Sequence, residues 1–421
     1  MKKDECQRRS MLPPQGGNLF QGIKTQCAEA EKAGQNLIKL TIGQPPGPAL
    51  VEAREAAAIA VMSHRESMHE YQDNGSPGVP DFALRFISKH VRINLSSLLS
   101  RGQIDLLPIP GIKPMLGTVI DSLGSWNVDG RWWKVGEDLP TVLTMTNPGY
   151  PTPADQCAMR PGVKQTSLPM SVESGFLFTP QEVRELGFNF TEKEGDLIML
   201  NLPHNPTGVV AGREWLRNLC GFCEENGIRL FNDAAYAILA HTTEACTLTD
   251  IAPEFPNLNW AEAFSASKAG NFTGWRVGAM VGSPEFMADI KRIKGNTDSG
   301  FAAPLATGIL DLFENHIDQI YNVGRIYHDR LEILSEILVE SGMRLAVKPQ
   351  AGFFALFLAP HQAFGQEVSD AEQFNQLMIS NTGLVGVPFG KYIRYAVCTT
   401  DIEKISGQIT EAFQKAKVSY N

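Results

Sequence analysis

Apolar and polar positions follow two rhythms along this chain. Between residues 18 and 34, Leu19, Ile23, Cys27 and Ala30 recur at helical spacing and predict an amphipathic helix. Leu37–Ile42 alternates like a strand and runs into Gly43-Gln-Pro-Pro-Gly-Pro48, a loop in which glycine lets the backbone approach a ligand closely. The Ala-rich stretch Leu50–Ser67, then Phe82–His90 and Glu214–Asn226, read as helices. Short apolar runs bounded by turn residues read as buried strands: Ile104–Ile109, Thr141–Thr146, Asp196–Asn201, Ile228–Asn232 and Trp260–Phe264. Trp126, Trp132 and Trp133 cluster between Ser125 and Pro140, where Asp129-Gly130 predicts a small hairpin. Strand, loop and helix alternate through the middle of the chain, the pattern of an α/β domain with a mostly parallel sheet. Such a sheet binds ligands just past the carboxyl ends of its strands.

Near Pro304 the rhythm changes to long helices, with one predicted from Pro304 to Gly342. Strands are then expected at Met343–Val347, Gly352–Phe357, Gly383–Val387 and Tyr392–Val397, and helices at Asp370–Asn381 and Ile402–Lys417. This divides the chain into a flexible polar arm (1–16), an N-terminal segment of a small domain (17–50), a large domain (51–303) and a small C-terminal domain (304–421).

Composition narrows the class. The 421 residues are 43% hydrophobic and 20% charged, with a net charge of -9. A mildly acidic chain without a basic run is a poor partner for nucleic acid or an anionic membrane. No long apolar run predicts a membrane span. The charged start Met1–Arg9 lacks an apolar leader, and seven scattered cysteines suit free thiols, so the protein is expected in the cytoplasm. Cys220-Gly-Phe-Cys223 matches C-x-x-C, but with no second pair it reads as two helical cysteines rather than a metal site, and no metal is expected.

The candidate chemistry centres on Phe264-Ser-Ala-Ser-Lys268 and Gly274-Trp-Arg-Val-Gly278. Lys268 supplies a nucleophilic amine and Arg276 an anion clamp close by, which suits an enzyme that holds a phosphorylated aldehyde covalently. Gly111-Ile-Lys-Pro-Met-Leu116 is a strand–glycine–helix junction whose free N–H groups can seat a phosphate. Tyr150, just past a strand end, can stack on a planar ring. Arg394, in an alternating apolar strand, offers a guanidinium fork that fits a carboxylate.

Taken in order, Asn205-Pro-Thr-Gly208, Asp233-Ala-Ala-Tyr236, Ser265-Ala-Ser-Lys268 and Gly274-Trp-Arg276 resemble the class I/II aminotransferases, pyridoxal-phosphate enzymes of fold type I. The resemblance runs from the Gly43 loop to Arg394. It implies a large domain with a mostly parallel seven-stranded sheet, a smaller α+β domain, and pyridoxal 5′-phosphate as cofactor. It also implies an amino acid and a 2-oxo acid as substrates, and a homodimer with shared sites. Lys268 would be the catalytic lysine, and Asp233 would face the cofactor's ring nitrogen. Tyr236 and Asn205 would bind its ring oxygen, and Tyr150 would stack on the ring. Ser265, Ser267 and Arg276, with the N–H groups of Ile112 and Lys113, would hold the phosphate. Tyr71 would reach the partner subunit's phosphate. Gly43, Asn205 and Arg394 would bind substrate. More narrowly, Asn18-Leu-Phe20, Asp233-Ala-Ala-Tyr236 and Asn271-Phe-Thr-Gly274 resemble the LL-diaminopimelate aminotransferases, whereas Gln44-Pro-Pro46 departs from them. The spacing from Tyr71 to Leu84-Arg85 is stretched, the stretch Trp126–Trp133 looks inserted, and the turn before Arg394 is short. A C–S β-lyase, using the same cofactor, and a non-catalytic binding or regulatory module remain as alternatives.

Overall fold

The computed structural model describes residues 19–41, 43–124, 139–186, 196–399 and 401–420. The arm 1–16, Asn18 and the tryptophan stretch with its Asp129-Gly130 hairpin lie outside the described residues. Chain order begins α1 (Leu19–Lys32), β1 (Ile38–Lys39), α2 (Val51–Val61), α3 (Phe82–Ile87), α4 (Leu95–Ser100), β2 (Asp105–Ile109) and α5 (Ile112–Asp121). It continues β3 (Thr141–Thr144), α6 (Thr152–Ala158), β4 (Lys164–Ser167), α7 (Pro180–Glu185), β5 (Leu197–Leu200), α8 (Arg213–Glu225) and β6 (Arg229–Asp233). Then follow β7 (Trp260–Ser265), β8 (Gly278–Gly282), α9 (Pro284–Lys294), α10 (Ala303–Asn315) and α11 (Ile317–Glu340). The chain ends with β9 (Phe354–Leu358), the hairpin β10 (Gln362–Ala363) and β11 (Gln366–Glu367), α12 (Ala371–Thr382), β12 (Leu384–Val385), β13 (Val387–Phe389), β14 (Tyr392–Ala396) and α13 (Ile402–Ala416).

The central sheet has seven strands in the order β2-β8-β7-β6-β5-β3-β4. β4, β3, β5, β6 and β7 run parallel, and β8 is antiparallel to both neighbours. Strands covered on both faces bury every position, so β3, β5 and β7 are buried throughout. The two-residue period splits them between faces. Leu197, Met199 and Phe231 join the cluster under α5 and α9, while Ile198, Leu200 and Leu230 join the larger core opposite. In that larger core α2 lies close on α10, because a Cβ at Gly308 would collide with the Ala53 carbonyl. Cys220 and Cys223 are buried free thiols on α8.

A three-stranded antiparallel sheet, β13-β14-β9, forms a separate core with α11, α12 and α13. The N-terminal segment is stitched to it: β1 pairs with β12, and Ala396 N donates to Leu40 O at 2.8 Å. Three sequence expectations change here. The helix from Pro304 is two helices that meet at His316, whose φ of -137° is not helical. The strand expected at Met343–Val347 reduces to a single bridge, Leu345 to Phe357. Of the strand expected at Leu37–Ile42, Ile42 lies outside the described residues, and within 37–41 the strand is Ile38–Lys39, since its partner β12 is only two residues long.

Candidate active site

The parallel strands deliver their last residues to one edge of the sheet, and a cavity of about 660 Å³ opens there. Asp233 ends β6 opposite Ala263 of β7, and Ser265 ends β7. β8 runs the other way, so its first residue, Gly278, lies at the same edge, paired with both Ser265 and Ile109. That register brings the Arg276 turn, the Ser265–Lys268 turn and the start of α5 together. Arg276 itself has a left-handed backbone, φ +57°. Its Nη1 donates to Thr273 O at 3.0 Å and its Nη2 to Pro110 O at 3.2 Å. Gly111, at φ +81°, opens α5 with no side-chain cap, and a Cβ there would collide with Arg276 Nη2. Ser265 Oγ accepts from Ser267 N at 3.1 Å, and the two hydroxyls lie 2.9 Å apart.

Lys268 Nζ donates to Gly43 O at 2.7 Å. Burial pulls its pKa down to about 8, against the opposing pull of Cys398 and Asp233, while Arg394 and Arg276 add to the lowering. Burial pushes the Asp233 carboxyl up to about 7, although the Ala235 N–H and Lys268 act the other way. Tyr236 is buried and its hydroxyl is pushed well up by burial, with Arg394 opposing. Its ring meets Phe353 and Phe354 edge-on.

Arg394, on β14, is 1% exposed. Nη1 donates to Asn205 Oδ1 at 2.8 Å and Nη2 to Thr41 O at 2.9 Å, and the guanidinium lies 4.1 Å from the centroid of Phe354. Burial lowers its pKa to about 10, so it stays cationic at neutral pH. A buried, tethered guanidinium stacked on a ring is held in a fixed orientation, and its planar fork matches the geometry of a carboxylate.

Gly43, Ile112, Lys113, Tyr150, Asn205, Asp233, Tyr236, Ser265, Ser267, Lys268, Arg276 and Arg394 all line this one cavity. Tyr71 does not; it is 77% exposed on the surface of the chain. His204, left without a role by the sequence, is buried beside the Thr207 hydroxyl at 2.9 Å. Sequence reasoning missed Asn201 and Phe354. Asn201 Oδ1 accepts from Asn205 N at 3.1 Å and its Nδ2 donates to Asp233 O at 3.2 Å, so it frames two site residues at once. Its position at the end of an apolar strand was the available signal. Phe354 was hidden in an apolar strand, where a ring that supports an arginine looks like any core ring.

The donor set fits a phosphorylated pyridine aldehyde. Uncapped helix N–H groups, Arg276 and two hydroxyls surround a space that a Cβ at Gly111 would disturb, with a buried amine and a buried carboxyl farther in. Comparison with known proteins agrees. The family model for aminotransferase class I and II matches residues 141–406. The LL-diaminopimelate aminotransferase of Natranaerobius thermophilus is 25% identical, over 93% of this chain and 95% of its own length. That of Methanocaldococcus jannaschii is 28% identical over 94% and 91%. Among solved structures, aspartate aminotransferase from Rhizobium meliloti superposes with a TM-score of 0.78 at 17% identity, covering 97% of this chain and 99% of that one. The Thermus thermophilus aspartate aminotransferase with maleate gives 0.72 at 20% identity, covering 96% of each. Those two likenesses concern the fold, which is fold type I. The chain belongs to the class I and II aminotransferases. It is a pyridoxal-phosphate-dependent enzyme that transfers an amino group between an amino acid and a 2-oxo acid, and the C–S β-lyase alternative is not favoured.

Proposed function

We propose that the amino donor is LL-diaminopimelate or a close dicarboxylic relative, with 2-oxoglutarate and glutamate as the other pair. The LL-diaminopimelate aminotransferases matched over nearly the full chain support this. The observation that carries the reading is the meeting of Lys268, Asp233 and Arg394 around one cavity.

When bound, pyridoxal phosphate supplies an electron sink for the pair left by the broken Cα–H bond and carries the amino group between half-reactions. Lys268 would hold its aldehyde. Asp233 would keep a proton on its ring nitrogen. Asn205 and Tyr236 would bind its ring oxygen, and Tyr150 would cover the ring. Ser265, Ser267, Arg276 and the N–H groups of Ile112 and Lys113 would grip its phosphate. Arg394 binds the substrate α-carboxylate, fixing which bond at Cα points toward the lysine. Once the substrate's amino group has taken its place on the aldehyde, the freed Lys268 Nζ takes the Cα proton. Gly43 borders the substrate. A homodimer is part of this reading: α2 exposes Val51, Ile59 and Val61, Met62 is exposed just past its end, and Tyr71 stands exposed nearby in sequence, available to a partner's site. The division of the chain near residue 304 belongs to it as well: the separate core of the three-stranded sheet supports it from Tyr327 of α11 onward, while α10 packs in the larger core.

A single-turnover experiment tests the donor. Holoenzyme given LL-diaminopimelate and no acceptor should release one equivalent of oxo acid per subunit, then stop until 2-oxoglutarate is added. Continuous ammonia release would point to elimination, and no release would exclude this donor.

A further inference from the structure

Gly43 O accepts a hydrogen bond from Lys268 Nζ, yet the loop that carries Gly43 has little of its own to hold it. No helix or strand covers residues 43–50. Gln44-Pro-Pro-Gly-Pro48 contains three prolines and so lacks three backbone donors. Gln44, Pro46, Gly47 and Pro48 are exposed.

Arg54 Nε donates to Ala49 O at 2.9 Å, and the rest of what fixes the loop is the stretch just after the lysine. Asn271 Nδ2 donates to Pro46 O at 2.6 Å and to Pro48 O at 3.2 Å, and Leu50 N donates to Gly270 O at 3.3 Å. Asn271 has φ +65°, a left-handed conformation that asparagine tolerates better than most residues. On its other side, Gly43 is wedged against Phe354: a Cβ there would lie 2.8 Å from Cζ of the ring that stacks on Arg394. The loop is therefore held between the carboxylate receptor and the lysine turn, with Asn271 as its outer fastening.

We propose that Asn271 is a positioning residue. Its carboxamide clasps the 46–48 backbone and so sets where the Gly43 carbonyl meets Lys268 Nζ. The inference rests on the reading of Lys268 as the reacting amine. Loosening the clasp leaves cofactor binding in place but misdirects the amine during Cα proton transfer.

The test uses holoenzyme carrying Asn271→Gly, which keeps the left-handed backbone, and Asn271→Asp, which keeps the shape but sets carboxylate oxygens against two carbonyls. Expected are faster hydrogen exchange in the peptide spanning 43–50 and a kcat lower by about tenfold or more, the scale of one or two lost hydrogen bonds. KM and the pyridoxal-phosphate dissociation constant should stay within about twofold. The deuterium isotope effect with Cα-deuterated donor should rise, which a mere loss of folded protein would not cause. Unchanged exchange in 43–50, or a kcat within about twofold of the parent in both variants, overturns the clasp. Borohydride reduction and peptide mapping run alongside: a label on Lys268 keeps the underlying reading separate from the clasp, and a label elsewhere overturns both.

Discussion

Asp233 and Lys268 are tuned by the same burial in opposite senses, and each makes a measurable prediction. In the cofactor-free chain Asp233 titrates near 7, against an ordinary carboxyl value near 4. Below the unfolded value both states hold the proton. As pH rises toward 7 the unfolded chain releases it and the folded chain keeps it, so stability falls across that window and levels off above it. Asp233→Asn should thus stabilise cofactor-free protein at pH 8 by about 2–4 kcal/mol, with the gain gone near pH 4, as read by urea melts at both pH values. In holoenzyme the same change should lower kcat by about a hundredfold or more, because an amide cannot keep a ring nitrogen protonated. Lys268 makes the second case. Attachment of pyridoxal phosphate needs neutral amine, so its rate should rise with pH to a midpoint near 8, not near the 10.5 of an ordinary lysine. Stopped-flow rates across pH 6–11 check this, and a midpoint above about 10 would remove the argument from burial.

The elements explain why some of this was legible beforehand and some was not. β3, β5, β6 and β7 were readable because strands buried on both faces are nearly continuous apolar runs, and the site residues follow directly from where those runs stop. β4 was not, because Lys164-Gln-Thr-Ser167 is a polar strand at the edge of the sheet among the described residues, and its pairing with β3 leaves no apolar pattern. β8 was not read from the sequence, since glycines bound it at 278 and 282, where a Cβ would collide with backbone of β7. Arg394 was legible from the oddity of a cation in an apolar strand, but its Phe354 support needed the register of β14 on β9. The junction of β2 and α5 yields a third prediction. Gly111→Ala should weaken pyridoxal-phosphate binding about 10–100-fold, since it strains a positive φ and displaces the Arg276 guanidinium. Attachment of pyridoxal, which lacks the phosphate, should change less than about threefold. Equal losses for the two compounds, measured by equilibrium dialysis, would place the damage elsewhere.

For the whole molecule, the exposed Tyr71 and the exposed apolar residues of α2 set up a subunit-mixing prediction. Lys268→Ala and Tyr71→Phe proteins, each poorly active alone, should regain activity when unfolded together and refolded as mixed dimers, up to about half the parent level. One of the two sites in a mixed dimer then has an intact lysine from one chain and an intact tyrosine from the other. No recovery in a mixture shown to contain mixed dimers would put Tyr71 outside its partner's site. Arg394 bears on the cycle as a whole. On the proposed reading, a single buried guanidinium receives every acid that enters, amino donor and oxo acceptor in turn. The two reactants are therefore rivals for one berth: abundant donor occupies the form of the enzyme meant for the acceptor, and the reverse. Throughput then follows the ratio of the two pools more than the size of either, and a mutation that retunes the berth for one reactant retunes it for the other.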